Sequence, residues 1–157
     1  NEDKYWRNQV YQRDLGIAYL QNVAANSPGD FVIASLKSSS SHIYVHAKLM
    51  LCDDEAAFVG TANIGQRSMT CDSEIHLAIV DENESFVRDM RYDLWSEHIG
   101  MEISSNQPTL EDEFAVFKEA VEQERGSLIP YIPGTVDRPK NHSFAFGMVD
   151  PYRGPKF

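Results

Sequence analysis

Hydrophobic and polar residues along the chain fall into segments of two periods. From Tyr5 to Ala25 apolar Val10, Leu15, Ile17, Ala18 and Leu20 recur among Arg and Gln, which predicts a helix weakened at Gly16. A turn at 26–30 precedes a short apolar strand, Phe31–Leu36, and a Ser-rich connector, 37–41. From His42 to Cys52 the pattern alternates: Ile43, Val45, Ala47, Leu49 and Leu51 share one face, and His42, Tyr44, His46, Lys48 and Met50 the other. Asp53-Asp54-Glu55 reads as a tight acidic turn, Ala56–Val59 as the returning strand, and Glu74–Val80 as a third strand. Two helices follow, over 83–98 with Gly100 as its stop, and over 109–125 with Leu110, Phe114, Phe117 and Val121 on one stripe. Past Gly126 the chain is rich in Pro and Gly and predicts an extended arm with no helix. The expected fold is α/β, a mixed β-sheet flanked by helices. Its organisation is a domain over 1–126 and an arm over 127–157.

Composition fits globular material: 157 residues, 42% hydrophobic and 24% charged. No apolar run reaches the ~18–20 residues of a membrane span. The polar start carries no signal-peptide pattern, and the absence of an initiator Met suggests a fragment or a processed product. The net charge of −10 counts against a nucleic-acid partner, because a polyanion would be repelled. Cys52 and Cys71 allow at most one disulfide, and Cys52, set in an apolar run, reads as a small buried side chain. No Cys/His cluster has metal-ligand spacing, and no glycine-rich phosphate loop is present.

The chemistry concentrates in His46-x-Lys48-x4-Asp53 followed by Gly60-Thr61-x-Asn63. A phosphodiester hydrolase without a metal needs an imidazole working near neutral pH. It also needs fixed positive charge and hydrogen-bond donors where charge accumulates on the non-bridging oxygens. Lys48, two residues from His46, supplies the charge; the Asn63 amide and the Thr61 hydroxyl supply neutral donors. Taken singly, His46 would more often be a partly buried structural histidine and Lys48 an ordinary solvated charge, and only the constellation promotes them.

The stretch HAKLMLCDDEAAFVGTAN resembles the H-x-K-x4-D-x6-G-[ST]-x-N motif of the phospholipase D superfamily. Chance placement of six such residues in a chain this long is on the order of one in 10⁵ to 10⁶. The resemblance continues through Ile64–Met69, Asp72–Ile75 and Leu94–Gly100, and more loosely Val149–Tyr152 is similar to the end of bacterial members. It implies the second-motif, C-terminal half of a bacterial phospholipase D. His46 would then be one of a pair of histidines, one attacking phosphorus to give a phosphohistidine and the other serving as acid and base. The acid/base role is favoured for His46, with the nucleophile role left open. Lys48, Thr61 and Asn63 would bind phosphate, Asp53 and Gly60 would support the motif, and Glu74 would accept a hydrogen bond from the far nitrogen of the imidazole. Gln66 and Arg67 are equally head-group ligands or braces, and His76 shares a strand face with Glu74.

The implied activity is hydrolysis of a glycerophospholipid such as phosphatidylcholine to phosphatidic acid and a free head group, with phosphatidyl transfer to alcohols alongside. No cofactor is required for this chemistry, and a stimulatory divalent cation is left open. Because a single H-x-K occurs, the expected partner is an N-terminal half carrying the other motif, in the same longer chain or as a companion fragment, with phospholipid at a membrane surface as substrate. Two alternatives stand beside it: a homodimeric nuclease-like phosphodiesterase, and an inactive scaffold or lipid-binding half. Location is open between soluble, membrane-peripheral and secreted.

Overall fold

A computed structural model describes residues 2–39, 41–70, 72–83, 85–103 and 109–133, with side chains omitted at 2–9, 12, 66 and 67. Cys71, the carboxyl-terminal arm from 134 onward and the similarity at 149–152 lie outside the described residues. The chain divides into two units, residues 1–32 with 132–157, and residues 33–131.

In the first unit, α1 (Glu2–Ala25) covers the predicted helix and begins three residues earlier. Gly16 is accommodated with open space around it. Asn26 ends the helix, its backbone N–H and side-chain amide both donating to the Asn22 carbonyl, at 3.2 and 2.8 Å.

The second unit carries the motif. Its elements in order are β1 (Ala34–Lys37), β2 (His42–Ile43), β3 (Leu49–Cys52), β4 (Ala56–Gly60), α2 (Gln66–Thr70), β5 (His76–Val80), α3 (Phe86–Ile99), α4 (Leu110–Glu122) and β6 (Leu128–Pro130). The α/β class holds, with one difference in pairing. The described strands form two three-stranded sheets, β2-β1-β6 and β3-β4-β5, and every pairing is antiparallel. The alternation from His42 to Cys52 is therefore not one strand. Its first two residues pair with β1, its last four pair with β4, and 44–48 passes between the sheets outside either ladder. Period two states which residues share a face, but the choice of hydrogen-bonding partner is non-local. The first residues of the expected arm, Leu128–Pro130, are a strand paired with β1.

Cys52 and Ala56 close the β3–β4 hairpin around a tight turn in which Glu55 N–H donates to the Cys52 carbonyl at 2.9 Å. Asp53 and Asp54 both take positive φ, 51° and 59°, the mirror-image turn that matches the twist of paired strands. Asp54 is less solvated than the sequence suggests, because it binds Arg91 from α3 through two hydrogen bonds of 2.7 and 2.6 Å.

In this unit the buried apolar side chains come from both sheets, the loop after β4, and α3 and α4: Ala57, Ala62, Val87, Ile99, Ala120, Val121 and Leu128. Trp95 and Phe117 bring α3 and α4 together, with ring centroids 4.6 Å apart. The predicted stop at Gly100 is present, with φ 75° and its N–H on the Ser96 carbonyl at 2.9 Å. Helix α4 is capped by Thr109, whose hydroxyl accepts from Asp112 N–H at 3.2 Å. Helix α3 has no such cap from Ser85. Instead the Asp81 carboxylate, at the end of β5, accepts from Val87 N–H at 3.0 Å and Asn83 N–H at 3.3 Å. These bonds hold its pKa below the usual carboxylate value, that to Val87 contributing most.

Candidate active site

The antiparallel register of β3-β4-β5 gathers the motif at one end of the sheet. Leu49 lies opposite Val59, Val59 opposite Leu77, and Gly60 opposite His76. The end of the sheet where β3 begins is thus where β4 ends and β5 begins. His46 and Lys48 lead into β3, Thr61 and Asn63 follow β4, and Glu74 leads into β5. Three separate segments meet there because the antiparallel β3–β4 hairpin returns the chain to that end and the 61–75 connection to β5 starts and finishes at it. Asp53 lies in the hairpin turn at the opposite end, away from this cluster.

The loop after β4 is pinned amide by amide. Gly60 N–H donates to the Lys48 carbonyl at 3.1 Å, and Thr61 N–H donates to the Ile75 carbonyl at 3.0 Å. Ala62 N–H donates to His76 Nε2 at 3.3 Å, and Asn63 N–H to Ser68 Oγ at 3.2 Å. Four successive donors thereby reach the residues leading into β3 and β5, β5 itself and α2, which fixes where the exposed Asn63 side chain starts. Glycine is required at 60 for space: a Cβ there would fall onto the Ile75 carbonyl and lie 2.7 Å from Cγ and Nδ1 of His76.

The polar side chains are arranged as follows. Thr61 Oγ1 donates to Glu74 Oε2 at 2.5 Å and accepts from Ile75 N–H at 3.0 Å. Its proton is therefore committed to Glu74, and the hydroxyl braces the loop against β5 where the sequence suggests a direct phosphate donor. The Ser68 hydroxyl, then that of Thr61, hold the Glu74 carboxyl below its ordinary pKa; burial opposes them, and the positive charges of His76, in its protonated form, and of Lys48 add to the effect. Glu74 is ionised at neutral pH and lies in the field of Lys48. The Lys48 ammonium donates to the His46 carbonyl at 2.9 Å, which leaves two of its three protons for an anion.

His46 is exposed, its ring stacked near Tyr44 with centroids 5.7 Å apart and planes 27° apart. Among the described hydrogen bonds none joins His46 to Glu74. The register brings Glu74, Lys48, Thr61 and the Asn63 loop together; it places His46 beside Tyr44 in the segment between the sheets. Ser68 and His76 both act on this loop more directly than the sequence indicates. A serine two residues into a five-residue helix carries no sign that it faces Asn63 and Glu74. His76 is marked only by sharing a strand face with Glu74. The side chains of Gln66 and Arg67 lie outside the described residues.

Among the described residues no group of His, Cys, Asp and Glu is placed to hold a metal ion, and no helix is long and apolar enough to cross a membrane. Chemically, the segments at this sheet end carry an imidazole, an ammonium, a primary amide and an ionised carboxylate. That set suits a phosphate diester: charge for the non-bridging oxygens and a group able to carry a proton.

The family model described as phospholipase D matches residues 21–149. Phospholipase D alpha 1 of Spuriopimpinella brachycarpa is 46% identical over 69 residues, covering 38% of this chain and 8% of that protein. The alpha 1 protein of Cynara cardunculus is 48% identical over 69 residues, again 38% of this chain and 8% of the relative. Phospholipase D zeta 1 of Arabidopsis thaliana is 38% identical over 78 residues, 40% of this chain and 7% of the relative. The chain thus spans less than a tenth of the length of these curated relatives in the matched region. No solved structure matches it. With its motif gathered at one sheet end and the family model matching 21–149, this chain belongs to the phospholipase D family.

Proposed function

We propose that this chain supplies one of two catalytic motifs of a phospholipase D-type phosphodiesterase that hydrolyses glycerophospholipids such as phosphatidylcholine. The observation that carries the reading is the convergence of His46, Lys48, Asn63 and Glu74 segments on one end of β3-β4-β5, within a family-matched stretch. In the proposed reaction a histidine of the partner half attacks phosphorus through its unprotonated nitrogen. The bond to the head-group oxygen breaks, and His46 delivers a proton to that oxygen. His46 then takes a proton from water as the water oxygen displaces the phosphohistidine nitrogen, giving phosphatidic acid and returning both rings to their starting states. Lys48 and the Asn63 amide hold the non-bridging oxygens. Glu74 acts on His46 once the exposed ring turns from Tyr44 toward it, and meanwhile fixes the loop through Thr61.

The partner we propose is the half carrying the other H-x-K-x4-D motif, which makes this chain the second-motif half. No cofactor enters the reaction. An enzyme of this type handles the phosphatidyl group as a covalent intermediate, so an alcohol can compete with water for it. The complete protein, given phosphatidylcholine vesicles and ethanol, should form phosphatidylethanol as well as phosphatidic acid. Release of head group with no phosphatidylethanol at any ethanol concentration would overturn the phosphohistidine route. No head-group release at all would overturn the lipase reading.

A further inference from the structure

Ala62 lies between the two motif residues Thr61 and Asn63, and it is 9% exposed. A buried amide N–H without an acceptor is costly, so its partner matters for the position of the whole loop. That partner is a side chain, Nε2 of His76, at 3.3 Å. An accepting Nε2 requires the neutral imidazole with its proton on Nδ1. The ring also packs directly over Gly60, since a Cβ at 60 would meet its Cγ and Nδ1 at 2.7 Å. One residue thus touches both ends of the Gly60–Ala62 segment, by shape at one end and by a hydrogen bond at the other.

We propose that His76 is a positioning residue, which sets the phosphate-binding loop through Ala62 and so places the Asn63 amide. The inference deepens the proposed function and rests on it for its consequence in turnover, whereas its structural half concerns Ala62 alone. The neighbouring amides use backbone carbonyls or Ser68, and among the described residues the acceptor of the residue 62 amide is the imidazole. With that acceptor removed the loop retains Thr61 on Ile75 and Asn63 on Ser68, and the 61–63 backbone between these two anchors loosens, which lowers the precision with which the Asn63 amide is placed.

The test uses the complete protein with His76→Phe, which keeps a ring and loses the acceptor, and His76→Gln, whose side-chain oxygen reaches a similar distance. His76→Ala repeats the first variant without bulk in case the phenyl ring disturbs folding. Amide exchange in a peptide covering 60–65 should quicken at least fivefold in the Phe and Ala variants, with α4 unchanged, and return to within twofold of wild type in the Gln variant. On short-chain phosphatidylcholine, kcat/KM should fall five- to twentyfold for Phe and Ala and recover to within threefold for Gln. Unchanged exchange at 60–65 in both Phe and Ala variants overturns the inference, as does failure of Gln to restore it. A wild-type protein inactive on phosphodiesters, but with the exchange pattern as expected, would sink the proposed function while the role of His76 in holding the loop stands.

Discussion

Replacing Arg91 with Met should destabilise the fold far more than a surface charge change. Arg91 sits on α3, 6% exposed, and its guanidinium binds Asp54 at 2.7 and 2.6 Å and Glu113 at 2.7 Å. Burial disfavours the charged guanidinium, but the hydrogen bonds and charges of Asp54 and Glu113 outweigh it and raise its pKa above the usual value. Tyr92 OH donates to the other oxygen of Glu113 at 2.5 Å, and the guanidinium carbon lies 4.7 Å from the Trp95 ring centroid. One Arg serves two carboxylates whose side chains are 13% and 6% exposed, so its loss leaves one half-buried and one buried charge without this cation. Breaking a buried pair by removing one partner costs about 3–5 kcal/mol. That is a large part of a typical 5–15 kcal/mol total. At about 2–4 °C per kcal/mol for a chain of this size, Tm should drop by roughly 6–20 °C. Urea unfolding followed by circular dichroism measures this directly. A cycle with Glu113→Gln should show coupling of about 1–3 kcal/mol, because the double variant removes a carboxylate together with its cation. A cost below about 1 kcal/mol for Arg91→Met, with additive singles, would refute the claim that this network ties the β3–β4 hairpin to both helices.

Further outcomes follow from the site. His46→Ala in the complete protein should abolish turnover while circular dichroism stays native; activity within tenfold of wild type defeats its assignment as acid and base. Gly60→Ala should cost about 1–3 kcal/mol in urea unfolding, because the Cβ must displace the Ile75 backbone and the His76 ring; a cost near zero would mean the loop is not held as described. Thr61→Val deletes the hydroxyl between Glu74 and Ile75 N–H, so the Glu74 carboxyl, followed by carbon NMR, should titrate at higher pH than in wild type. An unchanged titration would remove Thr61 from the causes of its low pKa. Glu74 and Asp81 both have folded pKa values below their ordinary 4.5 and 3.8. The unfolded chain therefore binds protons first, and their stabilisation, complete above those ordinary values, is lost as pH falls through the lower folded ones. The urea midpoint should drop below about pH 4.5, and Asp81→Asn should flatten that drop; an identical pH dependence in the variant would contradict the capping role of Asp81.

Much of the site was legible because its information is local. The spacing of His46, Lys48, Gly60, Thr61 and Asn63 and the alternation at Leu49–Leu51 are properties of a strand and a loop read one residue after another. Gly100 as a helix stop and the Asp53-Asp54 turn are equally local, since positive φ is a preference of those residue types. The single strand expected over 42–52 fails where it depends on partners: β2 belongs with β1 and β6, β3 with β4 and β5. The bond of Glu74 to Thr61 rather than to His46 is likewise a matter of which groups the register sets side by side. The role of Arg91 is non-local for the same reason: on α3 it is one charge among several, and its importance comes from carboxylates 37 residues before it and 22 after.

By itself, then, the sequence determined the chemical inventory, the periodicity of each element and the family to which they point. The tertiary structure alone decided that three separated segments share one sheet end, that the Thr61 proton belongs to Glu74, and that His76 holds Ala62. Residue identity and spacing act through covalent connectivity over a few residues. Hydrogen bonds and charge pairs depend on distances in space, which only the completed pairing of strands and packing of helices bring about.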